Sequence, residues 1–116
     1  MNISFRNIEE NILIVDIMGK IKTSNFKEFK DTLFEMLKRD ENVLALNLEN
    51  ISQIDSTPIG ILVNFKKKMD SMNKMVCILN ACGIVLETFT ISSLDKIFPM
   101  LNGESELLEY LKDNPM

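Results

Sequence analysis

Three short and nearly continuous apolar runs, residues 12–18, 43–48 and 75–79, constrain this chain more than any other feature. Each is rich in Ile, Val and Leu and bounded by polar residues, the pattern of a strand covered on both faces. Between the first two runs, Phe26, Phe29, Leu33, Met36 and Leu37 recur at helical spacing, with Lys27, Glu28, Lys30 and Asp31 facing away. That spacing predicts a helix over roughly 24–39, with Thr23, Ser24 and Asn25 as N-cap candidates. Between the second and third runs a helix is expected from about 58 to 72. It carries one stripe of Ile59, Leu62 and Val63 and another of Ile61, Phe65, Met69 and Met72. A helix apolar on two sides is either deeply buried or keeps one side for a partner.

The ends of the chain complete the pattern. Residues 3–8 alternate loosely and read as an edge strand, followed by a turn at Glu9-Glu10-Asn11. A short helix over about 82–91 places Val85 and Phe89 one turn apart. Residues 96–100 read as a brief extended segment whose Pro99 suits an edge. Residues 105–113 form a closing amphipathic helix on Leu107, Leu108 and Leu111. The expected order is β-β-α-β-α-β-α-β-α in a single domain over 1–116. This is an α/β fold with a mixed sheet of four to five strands and about four helices.

Composition narrows the function. The 116 residues carry a net charge of −4 and a pI of about 4.8, which argues against a nucleic-acid surface. Lys66, Lys67 and Lys68 therefore read as a solvated face. No apolar run approaches the roughly 20 residues of a membrane span, and no basic-then-apolar leader opens the chain, so a cytoplasmic protein without membrane insertion is expected. Histidine is absent, which removes Ser-His-Asp and Cys-His nucleophile arrangements and the commonest transition-metal ligand. The four glycines lie far apart and form no phosphate cradle. Cys77 and Cys82 fit neither a zinc knuckle nor a CxxC pair and are expected as small buried hydrophobes. Neither enzyme, cofactor nor metal site is expected.

The informative polar stretch is 47–60, where an apolar strand over 43–48 runs through a short polar connection into Asp55-Ser56-Thr57-Pro58-Ile59-Gly60. Pro is favoured at the first helical position, so Pro58 is expected to open the second helix with Thr57 as its N-cap. Asp55 and Ser56 would then stand one step outside the helix, near its partial positive charge. The plain alternative is that the hydroxyls only cap and Asp55 only complements the dipole.

The order of elements and this motif together resemble the STAS domain, in particular bacterial anti-sigma factor antagonists of the SpoIIAA and RsbV kind. That family opens its helix with a motif like Asp-Ser-Ser-Gly-Leu-Gly, matched here by residues 55–60. Its later ending, like Phe-x-x-(Ser/Thr)-Gly-Leu-x-x-(Ile/Val)-Phe, is similar to Phe89-Thr90-Ile91-Ser92-Ser93-Leu94-Asp95-Lys96-Ile97-Phe98. Pro58 and Ser93 replace family glycines.

The resemblance implies a switch worked by phosphorylation. The serine after the aspartate, Ser56 here, would be phosphorylated by a partner kinase that is also the anti-sigma factor, and a phosphatase would restore it. Thr57, expected as an N-cap, is the second acceptor. Asp55, Ser56, Thr57, Ile59, Gly60 and Val63 would form the partner surface of a monomer. Pro58 motivates the alternative of a phosphorylation-independent interaction module, such as a small cytoplasmic subunit of a membrane transport complex.

Overall fold

The computed structural model describes residues 1–115; Met116, the last residue of the expected domain, lies outside them. The elements are β1 (Asn2–Glu9), β2 (Ile12–Ile21), α1 (Phe26–Met36), β3 (Val43–Ile54), α2 (Ser56–Ser71), β4 (Met75–Leu79), α3 (Gly83–Ile91), a 3-10 turn (Leu94–Lys96), β5 (Met100–Leu101) and α4 (Glu104–Asp113). The sheet runs β1-β2-β3-β4-β5 in chain order, with β1 antiparallel to β2 and the other pairs parallel. The expected α/β order and mixed sheet are both present.

Period-two alternation explains why the three runs are apolar throughout. Leu13, Val15 and Ile17 of β2, Leu44, Leu46 and Leu48 of β3, and Val76 and Ile78 of β4 join the core shared with α1, α2 and α3. The intervening Ile12, Ile14, Val43, Ala45, Cys77 and Leu79 pack with Leu107 of α4 on the other face. Beyond α4 that face ends in a polar row across the sheet. Arg6 Nε donates to Asp16 Oδ2 at 2.7 Å, Asn47 Nδ2 to Asp16 Oδ1 at 2.7 Å, and Asn80 Nδ2 to Asn47 Oδ1 at 3.2 Å.

Several expectations are corrected. The strand expected over 43–48 continues to Ile54, so the polar connection is itself strand, paired with the end of β2 through Gly19↔Ile51 and Ile21↔Ile54. Two register irregularities, between Asp16 and Met18 and between Gly19 and Lys20, let Leu48, Ile51 and Ile54 all turn inward at three-residue spacing. On α2 neither expected stripe is the buried one. Pro58, Leu62, Phe65 and Met69 face the core, Ile59, Ile61 and Val63 are half-buried on its flanks, and Met72 is exposed.

Of the extended segment expected over 96–100, only Met100 belongs to β5, with the Pro99 carbonyl accepting the Ile78 N–H of β4 at 2.9 Å; residues 94–96 are 3-10 turn and Phe98 turns into the core. Ser93 stands before that turn with φ 59, the left-handed conformation for which the resembling family uses glycine. Cys77 is buried as expected, its thiol pushed up to about 12 by burial, whereas Cys82, also expected to be buried, is exposed.

Candidate functional site

The carboxyl ends of β2 and β3 lie side by side, and the loops that follow them meet. The Asp55 N–H donates to the Ile21 carbonyl at 2.9 Å, which places the start of α2 against the β2–α1 loop. Helix α2 begins at Ser56, so Asp55 is its N-cap residue, in extended conformation (φ −87, ψ 169), and Thr57 and Pro58 are the second and third helical residues. The expected assignment of Thr57 as N-cap and Pro58 as first residue is thus shifted by two. The physical reason lies in Pro58: the third N–H of a helix is an orphan donor, so a proline there costs no helical hydrogen bond. The first intrahelical bond is made by the Ile59 N–H to the Asp55 carbonyl at 3.4 Å.

An N-cap side chain ordinarily accepts from the second or third N–H of its helix. Here the third residue has none, and the Asp55 carboxylate makes no cap bond. It turns instead to Gln53 and to the neighbouring loop. Gln53 Nε2 donates to Asp55 Oδ1 at 2.8 Å, and the Thr23 N–H donates to Asp55 Oδ2 at 2.9 Å. These two donors, the Gln53 amide first, hold the Asp55 carboxyl below the usual carboxylate range, with the Lys22 charge adding to them. The loop is closed on itself as well: Asn25 Oδ1 accepts the Lys22 N–H at 2.7 Å and Asn25 Nδ2 donates to the Lys20 carbonyl at 2.9 Å. Asn25, an expected N-cap of α1, sits at that position without capping and ties its own turn.

Ser56, Thr57 and Gly60 are exposed, while Asp55, Ile59 and Val63 are half-buried. Among the described residues no side-chain hydrogen bond occupies the Ser56 or Thr57 hydroxyl. Both hydroxyls sit on the first turn of a 16-residue helix, where the dipole favours negative charge. The six candidate residues are therefore together in space, on the first two turns of α2 and its cap. Thr23 and Gln53 belong with them and carry no local signal. Thr23 meets Asp55 only through tertiary structure, and Gln53 lies in the stretch expected to be a polar connection.

The STAS domain model matches residues 6–107. The chain belongs to the STAS domain family. A Thermotoga neapolitana protein whose name ties it to anti-sigma factor antagonists is 28% identical to this STAS chain over 103 residues, covering 88% of the chain and 91% of the relative. The anti-sigma-B factor antagonist of Staphylococcus epidermidis is 24% identical over 104 residues, covering 89% and 96%. Among solved structures, the unphosphorylated anti-sigma factor antagonist SpoIIAA shares the STAS fold with a TM-score of 0.78 at 14% identity, covering 97% of both chains. The Bacillus cell fate determinant SpoIIAA in its phosphorylated form matches with a TM-score of 0.71 at 13% identity, covering 95% and 99%.

Proposed function

We propose that this STAS domain is an anti-sigma factor antagonist, acting in the cytoplasm as one unit over residues 1–116. In the unphosphorylated state it binds a kinase-type anti-sigma factor, which frees a sigma factor for transcription. Phosphorylation of Ser56 by that partner ends the binding, and a phosphatase acting on the phosphoserine restores it. The relatives' names support the general role. One observation carries the switch: the Ser56 hydroxyl is exposed and unoccupied on the first turn of α2, directly after a carboxylate already engaged elsewhere.

The chemistry of the switch follows from charge and desolvation. The docking surface is Asp55, Ser56, Thr57, Ile59, Gly60 and Val63, small or apolar except for Asp55. A phosphoryl group brings about −1.5 to −2 charges at neutral pH onto Ser56. The helix dipole steadies that charge on the free protein. At a closed interface it must be desolvated beside Asp55, and binding is lost. Pro58 does not impede this, since it removes only an N–H that the helix leaves unpaired.

Thr57 is not the N-cap, so its hydroxyl is as free as that of Ser56, and the choice of Ser56 rests on its place after Asp55 in the family motif. The test is binding to a kinase-type anti-sigma factor, with site-resolved mass spectrometry after incubation with that partner and ATP. Ser56→Ala is expected to bind constitutively and to take up no phosphoryl group, Ser56→Asp to lose binding, and Thr57→Ala to behave as wild type. Equal binding by the two Ser56 variants, or a phosphoryl group on Thr57, would overturn the assignment.

A further inference from the structure

We propose that the groove between α2 and Ile97 is a second contact for the same partner, and that it takes an acidic segment carrying an apolar anchor. This rests on the partner reading above and adds the chemistry of what docks. Ser56, Ile59, Val63, Lys66 and Asp70 fall on one side of α2 at helical spacing, so the surface that begins at the exposed hydroxyl continues along the helix. From Ser56 to Asp70 it runs about 21 Å at the 1.5 Å rise per residue of a helix.

At its far end the stripe becomes a groove. Val63, Lys66, Lys67, Asp70 and Ile97 line a cavity of about 320 Å³. Lys66, Asp70 and Ile97 also line an adjoining cavity of about 560 Å³ that reaches Lys74 and Tyr110. The apolar walls of the smaller cavity are the half-buried Val63 and Ile97, the latter 43% exposed although the next residue, Phe98, is buried.

The charged lining chooses the occupant. In a chain of net charge −4, this groove is lined by Lys66, Lys67 and Lys74 against one carboxylate, Asp70, and the Lys74 Nζ donates to the Arg39 carbonyl. Lys66 is already ordered: its Nζ pairs with Asp70 Oδ2 at 2.9 Å and lies 5.9 Å from the Phe98 ring centroid. Among the described residues Lys67 pairs with no carboxylate and is exposed. A partner's acidic residues would meet Lys67 directly and share Lys66 with Asp70, which sets register and speeds encounter more than it adds raw affinity. Nucleic acid is the poorer match, because binding it draws on many cations that track phosphates.

The experiment titrates the full ¹⁵N-labelled chain with an acidic peptide probe, acetyl-Glu-Asp-Leu-Glu-Asp-Leu-amide. Its counterpart with lysine at every acidic position and a short single-stranded oligonucleotide serve as the other arms. Amide shifts at Val63, Lys67 and Ile97, weakened by salt and lost in a Lys67→Glu/Ile97→Ser double variant, are expected with the acidic peptide alone. The same variant is expected to weaken binding of the kinase-type anti-sigma factor about tenfold while Ser56 is still phosphorylated. No shifts, equal shifts with the lysine peptide or oligonucleotide, or unchanged partner affinity in the double variant would overturn the proposal. Failure of the Ser56 variants to alter binding would overturn the switch instead, and would leave the peptide result standing.

Discussion

The backbone N–H of Thr23 donates to the Asp55 carboxylate at 2.9 Å, joining two loops that lie 32 residues apart in the chain. Asp55→Ala removes this acceptor and that of Gln53, whereas Asp55→Asn retains one neutral oxygen. Hydrogen exchange at the Thr23 amide is expected to be fastest in Asp55→Ala and intermediate in Asp55→Asn, with the far end of α2 unchanged. Because the Asp55 carboxyl is depressed below 3.8, the tie contributes fully above that pH. It is lost as pH falls through the lower folded value. Thr23 protection that stayed flat through this acid range would contradict the assignment.

Ser93 adopts φ 59 without the freedom of a glycine. Its left-handed conformation costs a non-glycine residue on the order of 1 kcal/mol, so Ser93→Gly is expected to stabilise the fold by up to about that amount, less the extra entropy glycine adds to the unfolded chain. Urea unfolding with an unchanged slope measures it. A loss of stability above about 0.5 kcal/mol would show that the serine side chain contributes something the backbone argument omits.

Phe65 is fully buried and Met72, one turn past Met69 on the same expected stripe, is 44% exposed. Phe65→Ala is expected to cost about 3–5 kcal/mol, a large share of a small domain's stability. Met72→Ala is expected to stay within about 0.5 kcal/mol of wild type. Thermal unfolding of the Met72 variant separates a helix seated on Pro58, Leu62, Phe65 and Met69 from one seated on the expected stripe of Ile61, Phe65, Met69 and Met72.

Asp16 is held below its ordinary range by Arg6 first and by Asn47 second. A depressed carboxylate contributes stability above its unfolded value, here 3.8, and loses it as pH falls through the folded value. Arg6→Ala is therefore expected to be less stable than wild type at neutral pH, with the gap narrowing below pH 3.8. Glu41, lowered from 4.5 to about 2 by Arg39, adds acid sensitivity of its own in both proteins and cancels in the comparison. A gap that widened in acid would contradict the pairing.

Cys82 is exposed and Cys77 buried. A thiol reagent at pH 8 is expected to titrate one cysteine in the native protein and both in denaturant. Two native equivalents would mean that β4 opens readily.

Much of the fold could be read from the runs at 12–18, 43–48 and 75–79, because burial on both faces of a sheet leaves a mark within five to seven consecutive residues. The second half of β3 left no such mark. Its inward residues Leu48, Ile51 and Ile54 recur every third position, a spacing that departs from the strand period of two and coincides with the two irregularities against β2. Six candidate site residues, Asp55 to Val63, could be placed together because they share one helix start. The cap could not be placed to the residue: Pro58 is compatible with the first or the third helical position, and only the backbone decides. Thr23 was out of reach for a different reason, since its bond to Asp55 spans chain segments with no common pattern.

The missing N–H of Pro58 has a consequence for how fast and how tightly anything binds. The third helical position has no N–H to offer the cap, and the Asp55 carboxylate is turned to clamp the β2–α1 loop instead, so the two loops are tied together before a partner arrives. Preorganised surfaces lose less conformational entropy on association. Loosening this clamp should therefore shorten the lifetime of a complex even when no contacting atom has been changed.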